Sequence, residues 1–378
     1  MSPVRGIALI IASAAATAPA AITVTDLYTL GEVDGTFSIA RPGGFQASGG
    51  QVIGIGEVYG PDDPQRALLW TPTQPNGIDL NPAGSAESRA HAVADNQQVG
   101  LTRTVVQGPS RATLWTGTAA SAVNLHPGGF TTSEADGTDG VRQVGSAGTA
   151  TSTHAMLWAG TAASVVDLHP AAGYTDTTAV GIRDGQQVGY GFLPSGRVAH
   201  ALLWTGSAGS VVDLHPAGFT SSSALGVGNG VQVGTGSTAP PEYATNYHAL
   251  MWTGTAASAV DLTPAGFATA QAFAADGPWQ VGYAAPGLPG YADEHAMLWR
   301  GSADSAIDLH ALLPGGFVWS YASGIKGDTV YGTALDATGF YHELVWTIPE
   351  PGCLTPLIAI AAPLARRRRR RRRPPVSS

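Results

Sequence analysis

The sequence predicts an all-β protein, a seven-bladed β-propeller with four antiparallel strands per blade. Three observations predict it. A tryptophan recurs seven times at intervals of 43 to 48 residues, a Gly/Asn/Asp turn recurs at a fixed place in each repeat, and an unpaired strand stands at the start of the repeated region. Repeats of 40–50 residues that hold several short strands are typical of propeller blades.

The composition agrees with this fold class. The chain has 378 residues, of which only 12% are charged, with 50 glycines, 26 prolines and one cysteine. So few charges exclude a coiled coil, and one cysteine excludes a disulfide scaffold. Turn-rich composition with nine tryptophans favours short strands around a real core.

The recurring tryptophan ends a strand of the form His-Ala-hydrophobic-hydrophobic-Trp. Its seven copies are Trp70, Trp115, Trp158, Trp204, Trp252, Trp299 and Trp346. Nine residues after each of the first six copies comes an acidic or amide residue followed by leucine, at Asp79, Asn124, Asp167, Asp213, Asp261 and Asp308. We expect the repeated Trp, Asp and His of each blade to form a structural hydrogen-bond set that ties its strands together, with the tryptophan packed between blades, rather than a metal site. The sequence predicts neither a metal nor a cofactor.

A tight turn precedes the second conserved element of each repeat, usually Gln-Val-Gly. The turn pairs are Gly49-Gly50, Asp95-Asn96, Asp139-Gly140, Asp184-Gly185, Asn229-Gly230, Asp276-Gly277 and Gly327-Asp328. These residue types tolerate the positive φ that hairpin turns require. Each repeat therefore contains two hairpins, and their four strands are called a, b, c and d in chain order.

The ends of the repeated region complement each other. The last repeat stops after strand c at Trp346, whereas residues 22–27 read as a strand d without its own blade. Pairing the two would close the ring and leave no orphan strand. The propeller domain is accordingly expected over residues 21–348.

Residues 1–20 have the pattern of a secretory signal peptide. Arg5 precedes a short apolar run, and Ala18-Pro19-Ala20 provides small residues before the expected cleavage site. The sequence therefore predicts export through a Sec-type machinery, with Ala21 as the first residue of the mature chain.

Residues 349–378 form a tail of three parts: Pro349-Glu350-Pro351, a short apolar segment, and eight arginines at 366–373. This order resembles the PEP-CTERM sorting signal of bacterial exported proteins. The resemblance implies recognition by exosortase, a membrane transpeptidase that removes the tail, and a location at the cell surface or outside the cell after transient membrane attachment. The single cysteine, Cys353, falls in this tail.

The repeated unit itself resembles the HAF-repeat family of probable bacterial extracellular proteins. The resemblance rests on His-Ala-(Met/Leu)-Leu-Trp together with Asp-Leu and Gln-Val-Gly, and covers nearly all of residues 22–347. Two copies depart from it, with Arg66 and Arg111 in place of the histidine. The resemblance implies an exported β-repeat protein and no particular activity.

Charge bears on the partners. The tail arginines and Arg5 take nine of the 19 basic residues, which leaves 10 against 27 acidic ones and a body charge near −17. Such a body disfavours nucleic acid as a partner. The expected function is a non-enzymatic cell-surface or extracellular-matrix protein that binds or scaffolds extracellular polymer. Two alternatives remain: a propeller enzyme acting on polysaccharide, and a structural repeat protein without a ligand.

No catalytic residue is assigned, because the sequence contains neither a nucleophile elbow nor a zinc-protease helix motif. The loops between strands b and c vary most and are longest in the fifth and sixth repeats. Variable loops on a rigid frame are the usual place for recognition. The candidate polysaccharide-binding residues there are Tyr243, Tyr247, Tyr283, Tyr291, Asp293 and Glu294.

Overall fold

The structure, a computed structural model, describes residues 21–30, 37–48, 50–58, 64–71, 73–196, 198–240, 246–287 and 293–349. One compact unit spans Ile22–Ile348. The predicted signal peptide and all of the predicted sorting tail except Pro349 lie outside the described residues. Within the described ranges, no helix is long and apolar enough to cross a membrane.

Seven four-stranded antiparallel sheets form the compact unit, as the sequence predicts. The strands a, at one edge of each sheet, are β2 (Phe37–Ser48), β6 (Glu87–Ala94), β10 (Thr132–Thr138), β14 (Asp176–Arg183), β18 (Ser221–Gly228), β22 (Thr269–Asp276) and β26 (Phe317–Lys326). The strands b are β3 (Gln51–Val58), β7 (Gln97–Arg103), β11 (Gln143–Gly148), β15 (Gln186–Phe192), β19 (Val231–Ser237), β23 (Trp279–Ala285) and β27 (Thr329–Asp336).

The strands c follow the predicted His-Ala-x-x-Trp motif. They are β4 (Gln65–Thr71), β8 (Arg111–Trp115), β12 (Thr153–Trp158), β16 (Ala199–Trp204), β20 (Tyr247–Trp252), β24 (His295–Trp299) and β28 (Tyr341–Thr347). The outer strands d are β5 (Gln74–Asp79), β9 (Val123–Asn124), β13 (Val166–Asp167), β17 (Val212–Asp213), β21 (Val260–Asp261), β25 (Ile307–Asp308) and β1 (Thr23–Leu30). Short 3₁₀ turns occur at Ala119–Ser121, Ala162–Ser164, Ala208–Ser210, Ala256–Ser258, Ala303–Ser305 and His310–Leu312.

The ring closes as predicted. Strand β1 pairs antiparallel with β28, so that the first strand of the chain completes the seventh blade. Consecutive a strands contact one another around the ring, including β26 with β2. The a strands therefore surround a central channel, and the closing pair leaves the last blade with its full four strands.

The a–b turns have the backbone geometry expected of their residues. Asp95, Asp184 and Asn229 have φ angles of 51–52°, in the left-handed region. Side chains other than Gly, Asn and Asp rarely adopt this conformation. The turn residues identified in the sequence therefore set the length and direction of the inner hairpins.

The glycine of Gln-Val-Gly meets a steric requirement. A Cβ on Gly145 would overlap the carbonyl oxygen of Glu134 on the neighbouring a strand. The same overlap would occur at the equivalent glycines, Gly100, Gly189, Gly234, Gly282 and Gly332. Each of these glycines lies beside a register shift in strand a, a β-bulge that supplies one extra residue. The glycine therefore permits the bulge, and the bulge redirects a side chain of the channel wall.

Candidate functional site

The repeated histidines and aspartates join strands within each blade. In the fourth blade, His200 Nδ1 lies 2.7 Å from Asp213 Oδ2. A second histidine, His215, stacks on His200 with the ring centroids 4.0 Å apart and bonds Ser222 Oγ of the next blade at 2.8 Å. The other His–Asp pairs are His154–Asp167, His248–Asp261, His295–Asp308 and His342–Asp26. In the first blade Arg66 takes the histidine's place and bonds Asp79 at 2.7 Å.

The seven repeated tryptophans are 0–1% exposed and lie in the core. Their role is packing alone in most blades. Among the described residues, no acceptor lies within hydrogen-bond distance of the indole Nε1 of Trp115, Trp158, Trp204, Trp252, Trp299 and Trp346. The tryptophan therefore does not take part in the His–Asp hydrogen-bond set with which the sequence associates it.

The glutamine of Gln-Val-Gly has a structural role that its place in the repeat does not reveal. Gln143 is fully buried, and its Oε1 accepts a hydrogen bond from Gly160 N in the c–d turn at 2.8 Å. Its Nε2 donates to Gln97 Oε1 of the preceding blade at 2.9 Å. Every blade from the second to the sixth carries this buried glutamine, and its Oε1 accepts a hydrogen bond from the c–d turn of the same blade. In several blades its Nε2 also donates to a glutamine of the preceding blade.

The channel wall is where the repeats differ. In the second to seventh blades, two positions of the a strand are buried and nearly invariant: a Ser or Thr such as Ser133, replaced by Ala270 in the sixth blade, and an alanine such as Ala135. Two other positions of the strand are mostly half-buried and differ from blade to blade: one lies between the Ser or Thr and the alanine, and the other directly follows the alanine. We call these the channel positions. The first carries Arg89, Glu134, Thr178, Ser223, Gln271 and Tyr321, and the second, at the bulge, carries His91, Asp136, Val180, Leu225, Phe273 and Ser323.

Two adjacent blades place titratable groups together at these positions. His91 Nδ1 lies 2.9 Å from Asp136 Oδ1, and one oxygen of Glu134 lies within 4.8 Å of both ligand atoms. Burial by itself lowers the pKa of His91, but the Asp136 carboxylate outweighs burial and the pKa is raised above its ordinary value. Tyr190 lies near the same carboxylates. Burial raises its pKa, and the charges of Asp136 and Glu134 raise it further.

A cavity of about 500 Å³ occupies the channel at the a–b turns. The strands that carry His91 and Asp136 also line this cavity, through Val93 and Thr138. Three cations border it, each paired with an aspartate: Lys326–Asp95 at 2.7 Å, Arg142–Asp139 at 3.1 Å and Arg183–Asp276 at 3.2 Å. The volume is in the range of pockets that hold small molecules.

The seventh blade also departs from the repeat, at one position of its strand c. The position after the strand-c histidine is a fully buried alanine in the other six blades, but Glu343 here, 3% exposed. The Glu343 Oε1 accepts a hydrogen bond from Thr333 Oγ1 at 2.7 Å, and Thr333 in turn is the cross-strand neighbour of Tyr321. Burial raises the pKa of Glu343 to about 8.

The structure describes four of the six residues of the predicted loop site. Tyr243 and Tyr291 lie outside the described residues. Tyr283 lies in β23 rather than in a loop, 7% exposed and 5.7 Å from the ring of Phe273, which corrects its placement. Tyr247 is the first residue of strand β20, and Asp293 and Glu294 directly precede strand β24. Asp293 is exposed, whereas burial raises the pKa of Glu294.

The closed ring of four-stranded blades defines the chain as a β-propeller, and solved structures agree. The β-propeller domain of the trilobed protease from Pyrococcus furiosus matches at 10% identity with a TM-score of 0.53, covering 82% of this chain and 93% of that one. The acylaminoacyl peptidase of Pyrococcus horikoshii matches at 10% identity with a TM-score of 0.51, covering 82% of this chain and 51% of that one. Neither a family model nor a curated protein matches the sequence significantly.

These matches correct one expectation. The two similar structures belong to a protease and a peptidase, so the prediction of a non-enzymatic surface or matrix protein that scaffolds polymer was wrong in the class of protein it named. At 10% identity the likeness shows the fold alone. No activity of those enzymes is carried over to this chain, and its function is argued from its own residues.

Proposed function

We propose that this propeller acts through its central channel, where it binds a small ligand. The observation that supports this is the contrast between neighbouring positions of the a strands. In the second to seventh blades, Ser133 and Ala135 belong to series that nearly repeat, whereas Glu134 and Asp136 belong to series that differ from blade to blade. A frame needs repetition, while a binding site needs different groups in defined places.

The chemistry of the channel supports the same proposal. The wall changes character around the ring, with titratable groups in the second and third blades and Phe273 and Tyr321 in the sixth and seventh. A pocket lined by apolar side chains with a few convergent polar groups is the usual form of a small-molecule site. The cavity beside these residues provides the volume.

The proposal is tested with a variant that fills the cavity. Ala94 lines the cavity and is half-buried, so that Ala94→Trp places an indole in the ligand's space. The matched control is Ala120→Trp, on an exposed 3₁₀ turn at the outer edge of a blade. The assay is thermal unfolding of the full chain against a panel of sugar acids, nucleotides, dicarboxylates and short peptides.

A compound that binds in the channel raises the unfolding temperature of the wild type and of Ala120→Trp, but not of Ala94→Trp. Stabilisation that survives in Ala94→Trp places the ligand elsewhere. A panel without any stabilising compound contradicts the proposal as well.

We propose further that the chain is exported as its ends predict, by a Sec-type machinery and then an exosortase-type transpeptidase. The support is the pattern of residues 1–20 and 349–378 and the resemblance of the body to HAF repeats. Mass spectrometry of the mature protein tests it. The expected form begins at Ala21 and lacks the arginines at 366–373, and a cell-surface form that retains them contradicts the sorting signal.

A further inference from the structure

We propose that His91, Glu134 and Asp136 bind a divalent transition-metal ion in the channel wall. Each residue offers one ligand atom, and the three atoms lie within 4.8 Å of one another. The Nδ1 of His91 and the Oδ1 of Asp136, 2.9 Å apart, already have the spacing of two ligands on one ion. The site lies in the channel of the proposed function, but its test measures the ion alone.

The fold brings the three ligands together in a defined way. Asp136 stands at the bulge of β10, where the register shifts between Ala135 and Gly137, and His91 stands at the equivalent bulge of β6. Glu134 occupies the other channel position of β10. The ligands thus come from two neighbouring strands with paired bulges, which hold them more precisely than loops would.

The electrostatics favour a cation at this place. Two carboxylates share a half-buried site, and like charges so close are unfavourable without compensation. The charge of Arg89 acts on His91, but its Nη2 and Nε atoms bond Glu87 at 2.9 and 3.1 Å rather than either carboxylate of the site. No described residue makes a hydrogen bond or ion pair with the Glu134 carboxylate. A divalent ion would neutralise both acids and give Glu134 a partner.

The donor set indicates the class of ion. One imidazole and two carboxylates suit Zn²⁺ or Mn²⁺ better than the all-oxygen sites of Ca²⁺ and Mg²⁺. Three protein ligands leave at least one coordination position for an oxygen of a ligand in the channel. An ion held in this way binds that oxygen and polarises the group that carries it.

The His–Asp pairs of the blades provide a matched comparison. His200 and Asp213 lie 2.7 Å apart, much like His91 and Asp136, and Asp213 also receives a hydrogen bond from the Tyr174 hydroxyl. Among the described residues, only the channel cluster brings a third ligand within reach. A zinc site should therefore depend on Asp136 and not on Asp213.

The test is calorimetric titration of the chelator-treated full chain with ZnCl₂, and separately with MnCl₂. We expect one ion per chain, with affinity at least about tenfold lower in Glu134→Gln and in Asp136→Asn. Asp213→Asn should titrate as the wild type does. Glu134→Gln is the decisive variant, since removing an unpaired carboxylate leaves every described hydrogen bond of the fold intact, as circular dichroism would verify.

Cobalt gives an independent readout, because the visible absorption of bound Co²⁺ reports the ligand set. The bands should change in His91→Asn and stay the same in His200→Asn. Absence of ion binding by the wild type, or binding that Asp136→Asn and Asp213→Asn weaken equally, overturns the site. Since neither measurement uses an organic ligand, failure here leaves the channel-ligand proposal to its own test, and the reverse also holds.

Discussion

Glu343 should make the protein less stable as the pH rises through the neutral range. Its carboxyl group is buried, and its one hydrogen bond among the described groups comes from the neutral Thr333 hydroxyl. Burial raises its pKa from the ordinary 4.5 to about 8, and the charge of Asp26 adds to the effect. The group therefore stays protonated in the folded chain at a pH where it has ionised in the unfolded chain.

The sign and size follow from linkage. Below pH 4.5 both states hold the proton and Glu343 contributes no penalty. Between pH 4.5 and about 8 only the folded state holds it, so stability falls by about 1.4 kcal/mol per pH unit. Above that range the accumulated loss is constant, at most about 5 kcal/mol, which is a large part of the stability of an ordinary domain.

Glu343→Gln isolates this contribution, since the amide keeps an acceptor for Thr333 but cannot ionise. Urea unfolding between pH 4 and 9 should show a gap between variant and wild type that is small at pH 4 and widens to pH 8. Glu343→Ala, which restores the residue of the other six blades, should lose the same pH dependence. Asp304→Asn, an exposed turn position, is the control and should run parallel to the wild type. Parallel curves for Glu343→Gln and the wild type would refute the reasoning.

Three further outcomes are expected. Burial and the neighbouring His200 lower the pKa of His215, so its contribution to stability is present above pH 6.5 and is lost as the pH falls below that value. Thermal unfolding of His215→Asn should therefore be less acid-sensitive than that of the wild type. An unchanged pH profile would count against this. Gly145→Ala should lower the free energy of unfolding in urea by about 1–3 kcal/mol and abolish zinc binding, because the new Cβ displaces the strand that carries Glu134. Gly209→Ala adds a Cβ in open space and should change neither the stability nor the zinc binding. Trp204→Ala removes a fully buried side chain and should lower the free energy of unfolding by about 3–5 kcal/mol. A decrease of less than about 1 kcal/mol in urea unfolding would show that the surrounding residues close around the space of the missing ring.

The architecture could be predicted from the sequence because the same local signal is repeated seven times. Trp204 marks the end of a strand, Asp184-Gly185 marks a turn, and the fixed offset to Asp213 marks the outer strand. Each signal is weak in a single repeat, but a blade must bury its faces against similar neighbours. The copy number therefore determines the ring, and the unpaired first strand determines how it closes.

The channel cluster could not be predicted in the same way. His91 and Asp136 are 45 residues apart and meet only because adjacent blades place equivalent bulges side by side. Loop length indicates a different region and includes Tyr283, which is 7% exposed in strand β23. A usable signal is present in the strands: next to Ser133 and Ala135, whose series nearly repeat, the residues at 134 and 136 belong to series that change from blade to blade in the second to seventh blades.

That contrast explains how one repeat can serve both stability and recognition. The series of Ser133 and Ala135 is buried against the neighbouring blade, where any change would have to be matched by its partner. Glu134 and Asp136 are half-buried on the inner strand, where a side chain can change with less effect on the packing. The second to seventh blades therefore supply six variable pairs on the inner strands, held by a frame that varies far less. Chemical function in this fold is accordingly expected where the repeats disagree, at half-buried positions of the inner strands, rather than at the prominent residues on which they agree.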